Sequence, residues 1–171
     1  DLLLAPIFSY ANVPYRIRAY DDLLKDPRDS IEFLPDLDQA LTTRSQALGS
    51  DQKLMTDPGG EVIHVNMIEK LLVPVLAKLS NFVPEAGIWL NTQRPEWNDA
   101  NNALAGYGAS VVTLNYLHRH LSFLEEWLTS TDLDTVSLSE SVYGYLTTIQ
   151  TILESNPVSY THLRAHETVR N

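Results

Sequence analysis

The sequence predicts an all-α chain carrying one small β-hairpin insertion, and three observations lead there. Apolar residues recur every three or four positions over most of the length, the spacing of a helix face. Pro27, Gly49 and the Ser137-x-x-Glu140 capping box punctuate these stretches at positions where helices stop or start. Only one segment, Asp57-Pro58-Gly59-Gly60, has turn chemistry flanked by residues suited to short strands.

Taken in order, residues 15–26 read as a short helix, with Ile17, Tyr20, Leu23 and Leu24 on one face and Pro27 as its stop. Residues 30–48 read as a second helix, interrupted or kinked at Pro35 and ended by Gly49. Lys53-Leu54-Met55-Thr56 and Glu61-Val62-Ile63-His64-Val65 form the two arms of the hairpin. Helix resumes over residues 66–81, where Ile68, Leu71, Leu72, Val75, Leu76 and Leu79 make an apolar face wide enough to be buried against more than one neighbour. Pro74 is expected to kink it. A long helix follows over residues 100–128, with Leu104, Val111, Leu114, Leu117, Leu121, Leu124 and Leu128 at steps of three, four or seven. Gly106 and Gly108 mark a close backbone approach or an irregular first turn. The last helix runs from Ser137 to Glu154, with Val142, Leu146, Ile149 and Leu153 inside.

Length and composition set bounds. The chain has 171 residues and is 44% hydrophobic, enough to bury a core. Asp1 is not an initiator Met, so residues 1–156 are read as a piece of a longer helical domain. Leu2-Leu3-Leu4-Ala5 is too short for a membrane span and lacks the basic flank of a signal peptide. The segment Pro157-Val158-Ser159-Tyr160-Thr161-His162-Leu163-Arg164-Ala165-His166-Glu167-Thr168 resembles the translation of a sequencing-library adapter. Residues 157–171 are therefore expected to be a non-native tail. That sets aside His162 and His166, whose i, i+4 spacing beside Glu167 would otherwise suggest a metal site. His118 and His120 are two apart on a helix and face different directions, so no metal site and no cofactor are expected.

The formal net charge of −10 argues against a nucleic-acid partner, which calls for a cationic surface. No membrane partner is expected either. The absence of Cys excludes disulfides and thiolate chemistry and is compatible with a cytoplasmic location. Nothing in composition fixes an oligomeric state. Glu69 and Lys70 read as the solvated edge of their helix, and Trp127 as a packing residue.

Chemistry concentrates in one run, residues 87–104. It brings Trp89, Asn91, Gln93, Arg94, Glu96, Trp97, Asn98, Asp99, Asn101 and Asn102 onto what reads as a loop opening a helix. Carboxylates transfer protons, amides and Arg bind hydroxyl groups, and indole rings stack on a pyranose face. Each residue also has a plainer reading. Asp99 is either a catalytic carboxylate or the N-cap of the helix it precedes. Glu96, between Pro95 and Trp97, is either a general acid whose pKa is raised by a dry pocket or a surface partner of Arg94. Trp89 and Trp97 are sugar platforms or core. The amides at Asn91, Gln93, Asn98, Asn101 and Asn102 bind ligand or brace the loop backbone.

The segment Arg94-Pro95-Glu96-Trp97-Asn98-Asp99-Ala100-Asn101-Asn102 resembles the D-W-N-D-G-M-N motif of cellobiose-phosphorylase-like enzymes in the six-hairpin glycosidase group. In that family the acid before the Trp is the general acid, a role that falls here on Glu96, with Trp97, Asn98 and Asp99 matching the residues that follow. Glu stands where the family has Asp, and Ala100-Asn101-Asn102 replaces Gly-Met-Asn. The resemblance implies a partial (α/α)6 barrel and a carbohydrate-active enzyme that cleaves or phosphorolyses glycosidic bonds. Its partners would be a carbohydrate substrate and, for phosphorolysis, phosphate. A non-catalytic helical module that binds glycan or protein through the same loop is the alternative, and a structural helical domain with a braced loop is the third.

Overall fold

Tyr15, Arg16 and Ile17, expected in a helix, form a strand instead. The computed structural model describes residues 2–49, 53–90 and 106–155, and of these 49% are helical and 14% extended. Among the described residues the fold is mixed α/β with two small antiparallel sheets, not all-α, and no barrel is evident. The elements are β1 (Tyr15–Ile17), α1 (Tyr20–Leu23), β2 (Ile31–Phe33), α2 (Pro35–Leu48), α3 (Met67–Leu79), β3 (Phe82–Val83), β4 (Gly87–Trp89), β5 (Ala109–Ser110), α4 (Val111–Thr129) and α5 (Glu140–Ser155). They fall into two units, Asp1–Lys70 with Leu90–Gly108, and Leu71–Trp89 with Ala109–Asn171.

In the first unit, β1 and β2 pair antiparallel with Tyr15 opposite Phe33, Arg16 opposite Glu32 and Ile17 opposite Ile31. This pairing explains why the expected helix over 15–26 shrinks to the single turn of α1. Tyr, Ile and Phe suit a pleated surface, and cross-strand partners reward them there. The Tyr15 and Phe33 rings lie 6.0 Å apart, and Arg16 Nε donates to Glu32 Oε2 at 2.6 Å. The Arg16 guanidinium holds the Glu32 carboxyl below its usual range, chiefly through that hydrogen bond. Two further backbone bonds, Arg18 N–H to Ser30 O and Leu34 N–H to Pro14 O, lengthen the ribbon at each end.

Pro35 does not interrupt a helix; it starts one. It occupies the first position of α2, where the missing amide hydrogen costs nothing and the fixed φ suits the first turn. The expected hairpin over residues 53–65 keeps its turn but not its strands. Asp57 accepts Gly60 N–H through its carbonyl and Glu61 N–H through Oδ1, and the arms meet in the isolated bridge Thr56↔Val62. Each arm also pairs with the N-terminal segment, through Ala11↔Leu54 and Phe8↔Val65. Backbone groups of the arms thus find partners outside the hairpin.

Gly106 is held in the same unit by a contact that admits no side chain. Its φ is +78°, and a Cβ placed there would come within 2.3 Å of the Pro27 carbonyl oxygen. The guanidinium of Arg28 lies 4.6 Å from the centre of the Tyr107 ring, a cation–π contact beside the same approach.

The second unit is built on α3, β4, α4 and α5. β4 is the middle strand of the order β3-β4-β5, with Ile88 opposite Phe82 on one side and Ser110 on the other. Ile88 has no exposed surface and packs with Val75 of α3 and Leu117 and Leu124 of α4. A second cluster joins Leu76 of α3 to Val142 and Ile149 of α5. The neighbours Val75 and Leu76 thus serve different clusters, the outcome that the wide apolar face of α3 predicts. Pro74 lies within α3 without ending it.

α4 begins at Val111, not near residue 100. Strand pairing takes Ala109 and Ser110, and the Ser110 hydroxyl then caps the helix by accepting Thr113 N–H at 3.1 Å. α5 likewise begins at Glu140 rather than Ser137, and Ser139 O accepts Tyr143 N–H at its first turn.

Ile88→Ala is expected to cost about 2–5 kcal/mol in equilibrium urea unfolding, because the vacated volume lies between two helices and a sheet. Gly106→Ala should cost at least about 2 kcal/mol from backbone strain and the Pro27 clash. Gly144→Ala, in a helix interior where a Cβ meets nothing, should stabilise by about 0.5–1 kcal/mol in the same assay.

Candidate functional site

Of the residues that the sequence nominates for chemistry, Trp89 is the one within the described structure. Asn91, Gln93, Arg94, Glu96, Trp97, Asn98, Asp99, Asn101 and Asn102 lie outside the described residues, as do His162 and His166. Trp89 ends β4. Its N–H donates to Asn81 O at 2.7 Å, its partner across the ladder is Ala109, and its side chain is half-buried. Among the described residues Trp89 belongs to neither apolar cluster, so the core reading draws no support from packing.

The ends of the nominated run are pinned by short-range backbone chemistry. Leu90, 7% exposed, donates its N–H to Gly108 O at 3.1 Å and accepts Gly106 N–H at 2.8 Å. Backbone hydrogen bonds thereby join the chain on either side of residues 91–105, which lie outside the described residues. Because Gly106 also sits against Pro27 and Tyr107 under Arg28, the closing residues cannot slide in register without losing both contacts.

A polar cluster that the sequence reading placed in solvent is instead buried. Glu69 is 2% exposed, so it is no part of a solvated helix edge. Tyr10 donates its hydroxyl to Glu69 Oε1 at 3.3 Å. Asn66, itself 6% exposed, stands at the N-cap of α3, and its Oδ1 accepts Glu69 N–H at 2.8 Å. Lys70 reaches back over the Tyr10 ring, with Nζ 4.2 Å from the ring centre, and donates to Ser9 O at 2.5 Å. Met55 N–H fixes the backbone of Tyr10 from the other side by donating to its carbonyl. The signal that points to this cluster is Asn66-x-x-Glu69, the spacing of a capping box with Asn as the cap.

Electrostatics define what this cluster can do. Burial first, then the Glu69 charge and its hydrogen bond, push the Tyr10 phenol up to about 12. Tyr10 therefore holds its proton firmly at neutral pH and serves as a donor, not as a base or nucleophile. The Tyr10 phenol gives the buried Glu69 carboxyl group a hydrogen-bond donor. The arrangement ties the N-terminal segment to the first turn of α3. It braces rather than reacts.

Among the described residues no group of three or more His, Asp or Glu side chains is placed to hold a metal ion. His64 Nδ1 lies 2.9 Å from Val62 O, and His120 stacks on Phe123 with ring centres 6.4 Å apart. No helix among the described residues is long and apolar enough to cross a membrane.

The phenol whose pKa is raised in the folded state contributes stability that is complete below the unfolded value of 10.0 and is lost as pH rises through about 12. Unfolding measured at stepped alkaline pH should show this loss in the parent chain and a shallower one in Tyr10→Phe. The same variant should lose the latest-titrating phenolate absorbance. No protein-family model matches the chain, and no curated protein is detectably similar to it.

Proposed function

We propose that this chain acts on carbohydrate through residues 89–104, with Glu96 as the general acid that protonates the departing glycosidic oxygen. The observation that supports it most is the closed base at Leu90, Gly106 and Gly108, which gives a run rich in acids, amides and indoles a fixed support. Arg94, Asn91, Gln93, Asn98, Asn101 and Asn102 supply hydroxyl-binding groups, and Trp89 and Trp97 supply ring faces. Glu96 is one methylene longer than the Asp of the similar motif, so it reaches further from its backbone. Asp99 serves either as a second carboxylate or as a cap. Phosphate, or water that gives up a proton to a second carboxylate such as Asp99, attacks the anomeric carbon from the opposite side, the bond to the leaving oxygen breaks, and the Glu96 proton passes to that oxygen.

A second reading, binding of glycan without turnover, is favoured by the mixed α/β fold. The ring of helices that surrounds the acid in the similar enzymes is not evident among the described residues.

Turnover of aryl glycosides and disaccharides, with and without phosphate, separates these readings. Under the first, Glu96→Gln should lower kcat by about 10²–10⁴-fold while leaving ligand affinity within a few-fold. Trp97→Ala should weaken affinity by about tenfold if the indole stacks on sugar. Saturable glycan binding by a parent chain that turns over none of these substrates would favour the second reading, and neither binding nor turnover would sink both.

A further inference from the structure

α4 turns Leu117 and Leu124 into the core, and beside them runs a second stripe that the core does not cover. Thr113, Tyr116, His120, Phe123 and Trp127 follow one another at steps of three, four, three and four, the 3.5-residue spacing of a coiled-coil seam. Tyr116 is 65% and Phe123 56% exposed, while Thr113, His120 and Trp127 are half-buried. The stripe is already ordered, since the Phe123 ring stacks on His120 with ring centres 6.4 Å apart and on Trp127 with ring centres 6.0 Å apart. Pro74 and Val75 of α3 border Tyr116 and His120 in a shallow, mostly apolar depression. Exposed apolar surface of this kind marks a face that meets another protein.

Charge selects the occupant. Arg119 and Glu126 are both exposed and stand seven residues apart, which places them on the same flank of the stripe. Neither has an oppositely charged neighbour three or four positions away on α4, and among the described residues neither forms an ion pair. The seven-residue step makes this flank self-complementary about a two-fold axis. When the α4 of a second copy lies antiparallel across the seam, Tyr116 meets Trp127 of that copy and His120 meets its Phe123, and Arg119 faces Glu126 on both sides of the axis. A parallel pair would instead set Arg119 beside Leu124, which the core already holds. We infer that two copies of this chain associate through α4, antiparallel, with an aromatic seam and a reciprocal pair of Arg119–Glu126 contacts.

Sedimentation equilibrium of the full-length chain, at concentrations up to about 1 mM, tests this. A reversible equilibrium between monomer and dimer is expected. Arg119→Glu or Glu126→Arg alone sets like charges against each other on both sides of the axis and should weaken dimerisation about tenfold. The two changes together restore opposite charges across the seam and should return the dimer to within about threefold of the parent. Phe123→Ala removes a ring from each copy and should weaken the dimer by at least about thirtyfold. All three side chains are exposed, so the circular dichroism of each variant should match that of the parent. A monomer at every concentration, a dimer that neither charge reversal weakens, a double variant that fails to recover, or open-ended assembly beyond the dimer would each overturn the inference.

Discussion

Ile88 is the constraint on which the second unit depends. A three-residue strand has too few hydrogen bonds to hold itself, and a three-stranded sheet this small needs an apolar cover. Ile88 supplies the contact by which α3 and α4 become that cover, since Val75, Leu117 and Leu124 all close on it. Full burial of such a side chain is worth about 1.5–3 kcal/mol, a sizeable share of a small domain's net stability. The positions around it follow. Gly87 must be glycine because φ is +141° and a Cβ there would come within 2.8 Å of Ser110 O, the strand that closes the other edge. Leu79 then bridges to the second cluster, so that α5 is fixed through the same helix that covers β4.

The first unit solves a different problem by different means. Its strands are short, and among the described residues its buried aliphatic side chains are Leu41, Val65 and Leu90. Polar groups carry much of the order instead. Tyr10, Asn66, Glu69 and Lys70 form a mutually satisfied set around the start of α3, and such sets specify one arrangement because any slip leaves a buried charge unpaired. The Arg16–Glu32 and Lys25–Asp22 pairs are exposed and contribute little beyond local alignment.

The sequence was legible where period and length agreed. α3, α5 and the part of α4 after Val111 carry enough turns for a stripe to stand out, and the Asp57–Gly60 turn is set by local chemistry alone. It misled where partners decide. Tyr15-Arg16-Ile17 is too short to show a period of two, and only Ile31-Glu32-Phe33, distant in sequence, makes it a strand. Val111, Leu114 and Leu117 continue a helical spacing that can be traced back in the sequence to Leu104, yet pairing with β4 claims Ala109 and Ser110 as strand, and the helix starts only after them. Glu69 followed by Lys70 looks like any solvated helix edge, because nothing local reveals that Tyr10 lies above it. Of the candidate site, the structure adds the setting of Trp89 and the closure at Leu90, while the amides and acids are known from sequence alone.

The closure at Leu90 and Gly106 also bears on how this chain can change over generations. Once the two ends of a segment are held by their own hydrogen bonds, doubling its length costs only about 0.6 kcal/mol of closure entropy. The scaffold on either side keeps its register through Leu90, Gly106 and Gly108. A segment of different length can be grafted between the same two anchors at little entropic cost.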